Sequence, residues 1–133
     1  QRLDLGLATP WQATRDPIVA LGGLLTQITG ALGKLGVDVT LLAQNEIAAV
    51  RLEGGGGSSA MAHKSNPVNA EVLVALARFN AGLSGTLAQA QLHENERSGA
   101  AWTLEWLTLP PMLVNAGASL RLARNLLQQL RLT

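Results

Sequence analysis

Residues 18–42 read IVALGGLLTQITGALGKLGVDVTLL. Taken at steps of three and four, Ile18, Leu21, Leu25, Ile28, Leu32, Leu35, Val39 and Leu42 are all apolar. That is the spacing of a helical stripe, sustained over more than three heptads. Asp16 followed by Pro17 predicts the helix start, as N-cap and first-turn proline. No proline follows until Pro67, so the spacing predicts a helix to about Val50, a rod of roughly 50 Å. A 100-residue globule has a radius of gyration of only about 13 Å. Such a rod belongs to a larger helical assembly rather than to a small compact domain.

The glycines inside this segment support that expectation. Gly22, Gly23, Gly30, Gly33 and Gly36 each lower helix stability by up to about 1 kcal/mol relative to alanine. Close approach of neighbouring helices is the usual compensation, and division into two shorter helices is the alternative. A second helix is predicted from Asn66 and Pro67 to about Leu92, with Asn66 as cap, Glu71 complementing the dipole and Val68, Val72, Leu76, Phe79, Leu83 and Leu87 as its stripe. A third carries Pro110 and Pro111, which predict a kink or restart after Leu109. Beyond them Leu113, Leu120, Leu127 and Leu130 fall on or near one face. No alternating pattern is long enough to predict a strand. The fold class expected is all-α, with long antiparallel helices forming part of an oligomeric bundle. Residues 1–133 read as one helical segment, with a mobile glycine-rich loop over residues 52–66.

Composition narrows the function. Of 133 residues 47% are hydrophobic and only 14% charged, which suits a segment that buries much of its surface against other segments. A net charge of +1 provides no basic field for nucleic acid. The absence of cysteine rules out disulfides and thiolate metal sites. His63 and His93 have no carboxylate or cysteine cluster at ligand spacing, so no metal is expected. Glycines and charges interrupt the apolar stretches, so no membrane span is expected. The start lacks the basic and apolar regions of a signal peptide. No initiator Met is present, and the chain reads as a piece of something larger.

Between the first two helices lies GGGGSSAMAHKSNP, Gly54 to Pro67. Glycine–serine runs behave as flexible spacers, but the residues that follow are not spacer-like. A serine pair, Lys64 and Asn66 stand just before a helix start, where backbone N–H groups attract anions. The spacing is not that of a phosphate-binding P-loop, because Lys64 is seven residues beyond Gly57. The pattern G-x-S-x-G of serine hydrolases is missing as well. The residues themselves reach as far as a mobile anion-binding loop with a candidate reactive serine.

This stretch resembles the signature loop of the fumarase/aspartase superfamily, G-S-S-x-M-P-x-K-x-N-P, at Gly57, Ser58, Ser59, Met61, Lys64, Asn66 and Pro67. His63 is similar to the branch that holds adenylosuccinate lyases and carboxymuconate cycloisomerases. PWQATRD (Pro10–Asp16) and ENERSGAAWTLEW (Glu94–Trp106) resemble the P-W-H-T-x-R-D and E-R…W-x-x-E-W blocks of the cycloisomerases, the latter at Glu96, Arg97, Trp102, Glu105 and Trp106. Ala62, Ser65 and Gln12 depart from the pattern. Members of the family are several hundred residues long, so the likeness is to a central-to-C-terminal portion.

The resemblance implies proton transfer alpha to a carboxylate, with Ser58 as base in elimination and as acid in lactonisation. The setting would be the protocatechuate branch of aromatic-compound catabolism, the beta-ketoadipate pathway. It implies a small polycarboxylate substrate bound by Ser59, Lys64, Asn66, Arg15, Arg97 and Gln44, with no cofactor. A cytoplasmic homotetramer is implied, its active sites shared between subunits. Two other outcomes stay open: a catalytically inactive helical oligomerisation module, or another superfamily lyase such as adenylosuccinate lyase. Arg15 beside Asp16 also reads as a helix-start ion pair. Arg97 with Glu94 and Glu96 also reads as an exposed loop salt bridge. Gln44 also reads as part of a solvated helix face. Trp102 and Trp106 read as packing anchors.

Overall fold

The computed structural model describes residues 6, 12–53, 56–57 and 65–133. Three helices dominate: α1 (Asp16–Leu42), α2 (Val68–Gln89) and α3 (Gly99–Gln129). Among the described residues four short strands complete the order, with β1 (Val50–Leu52), β2 (Gly56–Gly57) and β3 (Ser65–Asn66) between α1 and α2, and β4 (Leu130–Leu132) after α3. β1 pairs antiparallel with β4 and β2 with β3. The all-α class holds; these ladders join the connections rather than build a sheet.

α1 and α2 are antiparallel, and glycines set their separation. A Cβ built on Gly36 would strike the backbone carbonyl of Ala70, one on Gly33 would strike the Ala77 methyl, and one on Gly22 would strike Leu87. Gly23 and Gly30 face open space, so the expected close approach holds at three of the five positions. The buried line of α1 is Gly22, Leu25, Thr29, Gly33, Gly36 and Val39. It shares Leu25 and Val39 with the predicted stripe, and Ile18, Leu32 and Leu35 of that stripe pack against the core from its edge, whereas Leu21 and Leu42 are exposed. Buried Thr29 places its hydroxyl 3.0 Å from the Leu25 carbonyl, so the only polar atom it adds to the seam is satisfied. By length and composition alone α1 is apolar enough to cross a membrane, contrary to expectation. Its glycine line, however, packs on the α2 backbone.

α3 runs parallel to α1. One core cluster joins Val39, Ala70, Leu73, Ala123 and Leu126, and the other joins Leu25, Leu87, Met112 and Ala116. The side of α3 that enters the core is Ala101, Glu105, Thr108, Met112, Ala116, Ser119, Ala123 and Leu126. The expected stripe at Leu113, Leu120 and Leu127 does lie on one face, but it points outward. With Trp106 it repeats every seven residues, at exposures between 47% and 66%. α2 behaves similarly, since Val68, Val72 and Phe79 of its expected stripe are exposed while Leu87 is buried.

Three boundaries differ from expectation. α1 stops at Leu42 rather than near Val50. Gln44 accepts from the Ile47 and Ala48 amides, and Ala48 adopts a left-handed φ of 45°. The chain must reverse there so that buried Val50 can pair with Leu132, and that pairing overrides the helical propensity of residues 43–49. Asn66 sits in β3, and the N-cap position of α2 is Pro67, which makes no side-chain bond. α3 continues through Pro110 and Pro111. The carbonyls that lose donors belong to Trp106 and Leu107, both exposed to water. The next turn is held from α2, where buried Asn80 donates to the Met112 carbonyl (3.2 Å) and accepts from Asn115 (2.9 Å).

The α1–α2 seam yields a test with opposite signs. Gly36→Ala should lower stability by about 1–3 kcal/mol, because a backbone carbonyl cannot move aside. Gly85→Ala, on α2 with nothing within 4 Å, should raise it by about 0.5–1 kcal/mol through helix propensity. Urea unfolding midpoints of the two variants against wild type measure both.

Candidate active site

The glycine-rich stretch is framed on both sides. β1 enters it, anchored to the end of α3 by the pairs Val50–Leu132, Arg51–Arg131 and Leu52–Leu130. The Glu53 amide donates to the Gln129 carbonyl at 2.9 Å, and the half-exposed Glu53–Arg131 ion pair at 2.7 Å adds little by itself. Gly56 then pairs with Asn66 and Gly57 with Ser65, which brings the two arms of the stretch together. Ser58, Ser59 and Lys64 lie outside the described residues. The exit arm passes directly into α2, whose first free amides sit behind Pro67; its carbonyl accepts from Ala70 and Glu71. The stretch therefore ends at the positive pole of a 22-residue helix.

Gln44 belongs to the turn after α1, at this same end of the bundle. Its side chain is exposed, and its backbone carbonyl carries the turn. Arg15 and Arg97 are at the other end. Arg15 immediately precedes α1 and Arg97 precedes α3 by two residues, whereas the loop arms meet the opposite termini of these helices. The 27 residues of α1 separate the two ends by about 40 Å. One copy of the chain therefore does not bring Arg15 and Arg97 to the glycine-rich stretch.

Each arginine has a partner other than the one its neighbours in sequence suggested. Arg15 does not pair with Asp16. Its Nε donates to Glu105 Oε2 at 2.9 Å and its Nη2 to Glu105 Oε1 at 2.5 Å. The two side chains are 13% and 8% exposed. A bidentate guanidinium–carboxylate fork fixes the plane of both groups. Arg97 does not pair with Glu94 or Glu96. Its guanidinium carbon lies 3.8 Å from the centroid of the Trp102 ring, a cation–π contact worth about 0.5–1 kcal/mol at an exposed position. Trp106 meets Trp102 edge-on, with centroids 5.3 Å apart.

The turn before α3 is held by its own side chains. Ser98 is the N-cap, its hydroxyl accepting from the Ala101 amide, and its own amide donates to His93 Nδ1 at 3.0 Å. That bond places the His93 proton on Nε2, which is buried and unpartnered among the described residues. The Ser98 hydroxyl, aided by a backbone amide and by His93, holds the Glu94 carboxyl below the usual carboxylate range. Asn95 takes a left-handed φ of 48°, which turns the chain toward the helix. Glu105 and Trp102 were not among the expected site residues. The W-x-x-E-W spacing marked them, but an ion pair spanning residues 15 and 105 has no local signature.

A profile described as lyase matches residues 8–80. The 3-carboxy-cis,cis-muconate cycloisomerase of Pseudomonas aeruginosa is 43% identical over 96% of this chain and 29% of its own length. The nitrosuccinate lyase of Streptomyces davaonensis is 40% identical over 89% of this chain and 26% of its own. Among solved structures, the 3-carboxy-cis,cis-muconate lactonizing enzyme of Pseudomonas putida superposes with a TM-score of 0.87, at 38% identity over 96% of this chain and 29% of that one. The chain thus spans less than a third of the length of these relatives. With the lyase profile covering more than half of its residues, the chain belongs to the lyase family of the fumarase/aspartase superfamily.

Proposed function

We propose that this chain is the loop-bearing helical portion of a cytoplasmic cycloisomerase that interconverts 3-carboxy-cis,cis-muconate and a carboxymuconolactone in aromatic-compound catabolism, the protocatechuate branch of the beta-ketoadipate pathway. In the lactonising direction a substrate carboxylate oxygen forms the C–O bond at the beta carbon, and Ser58 delivers a proton to the carbon alpha to a second carboxylate. In the reverse direction Ser58 removes that proton and the C–O bond breaks. A free serine hydroxyl is too weak a base for this at neutral pH, so donors must be aimed at its oxygen. Loop amides, Lys64 and the α2 dipole supply positive potential. Ser59, Lys64, Asn66 and Gln44 bind the substrate from the loop end, and Arg15 and Arg97 from the arginine end. The loop closes over the substrate and excludes water.

What carries this assignment is the ladder that joins Gly56–Gly57 to Ser65–Asn66, the two arms of the signature stretch, and passes directly into the N-terminus of α2. The likeness of nearly the whole chain to cycloisomerases supports the choice of substrate.

Both ends serve one reaction if copies assemble. The outward seam Trp106, Leu113, Leu120 and Leu127 supports packing of α3 on another helix, and exposed Val68, Val72 and Phe79 on α2 offer a second face. We assign the assembly as a homotetramer in which the loop of one copy meets the arginines of another.

Three outcomes test this in the full natural chain, however far it extends beyond these residues. Ser58→Ala should slow the loss of muconate ultraviolet absorbance by about 10²–10⁴-fold, and an unchanged rate would remove Ser58 from the chemistry. Light scattering should report a tetramer, and mixing Ser58→Ala with Arg97→Ala subunits should restore activity that neither variant has alone. A monomer, or a mixture as inactive as its parts, would sink the shared site.

A further inference from the structure

We propose that Trp102 and Glu105 are positioning residues, a rack on the first two turns of α3 that orients Arg97 and Arg15 toward two carboxylates of the substrate. The inference deepens the proposed function and rests on it.

The geometry is that of arginines held and left partly unused. Glu105 takes one N–H from Nε and one from Nη2 of Arg15, leaving three of the five guanidinium donors in a fixed plane. A buried ion pair is seldom more stabilising than apolar packing of the same volume. Stability therefore does not explain why a charged fork closes this end of the core. Trp102 holds Arg97 by the face of the cation, at 3.8 Å from the ring centroid. Stacking uses no N–H, and among the described residues Arg97 makes no hydrogen bond or ion pair. Its edge stays free for a carboxylate. Trp106 braces Trp102 edge-on. Through the Ser98 amide and its own Nδ1, His93 fixes the backbone next to Arg97. Trp102 and Glu105 are one helical turn apart on the same side of α3. The segment W-x-x-E-W thus has a physical meaning: one tryptophan stacks an arginine, the glutamate forks a second, and the last tryptophan buttresses the first.

The ligand class follows from the donors. Two pre-oriented guanidinium edges favour an anion with at least two carboxylates over a monocarboxylate.

The test uses the full natural chain with 1,2,3-propanetricarboxylate and propionate as probes in calorimetric titrations, together with steady-state kinetics. Trp102→Leu and Glu105→Gln should each weaken tricarboxylate binding and raise KM by about 10-fold, with a much smaller change in kcat and in propionate binding. Trp102→Phe, which keeps a ring face, should recover most of the loss, and far-ultraviolet circular dichroism with urea unfolding midpoints confirms that the variants fold. A Leu variant that binds the tricarboxylate as wild type does, or a Phe variant no better than Leu, overturns the proposal and leaves Trp102 as packing. A wild type that binds no tricarboxylate overturns the functional reading, and the rack with it. The Trp102 series decides the matter on its own if Glu105→Gln fails to fold.

Discussion

The backbone of α1 lies against the backbone of α2, and most of the structure follows from that contact. Gly36 leaves room for the Ala70 carbonyl, Gly33 for Ala77 and Gly22 for Leu87. With the two helices so close, little volume remains between them for large side chains. The shared core is built from small residues and a few leucines, and α3 closes it with Met112, Ala116, Ala123 and Leu126. The larger apolar side chains are displaced to outer faces as a consequence. An exposed leucine is unremarkable by itself. On the 31-residue α3 they form a heptad series along one exposed face.

Antiparallel packing also decides where chemistry can assemble. The connection from α1 to α2 puts the glycine-rich stretch at one end, and the connection from α2 to α3 puts Arg97 at the other, where Arg15 already stands. Helices of this length keep the two groups about 40 Å apart within a copy. The same rigidity that separates them fixes each group well. The loop arms are tied by two ladders, and the arginines are tied to α3 by a fork and a stacked ring.

Periodicity made the helices legible, because every turn of a helix repeats its own chemistry. Ile18 to Leu42 marked α1, Pro67 marked the start of α2, and the leucines from Leu113 to Leu127 marked a face of α3. Periodicity did not reveal which face is inward. Of the predicted α1 stripe, Leu25 and Val39 are buried in a line that glycines and Thr29 complete, and in α3 the Met112–Ser119–Leu126 line enters the core in place of the Leu113–Leu127 row. The end of α1 was also hidden. Nothing in AQNEIAA announces a break; the break arises because Val50 to Leu52 pair with a strand almost 80 residues later.

What the sequence by itself determined was local: three helices, the proline-led start of α2, and a glycine-rich stretch with a serine pair and a lysine, whose signature and flanking blocks place the chain in its superfamily. Tertiary structure alone decided that Arg15 binds Glu105 rather than Asp16, that Arg97 rests on Trp102 rather than on its acidic neighbours, and that both stand at the far end from the loop. The reason is physical. Helix propensity and turn chemistry act between residues a few positions apart, whereas ion-pair partners, the inward face and the distance between sites depend on how whole helices approach, and that approach is governed by the side chains the glycines lack.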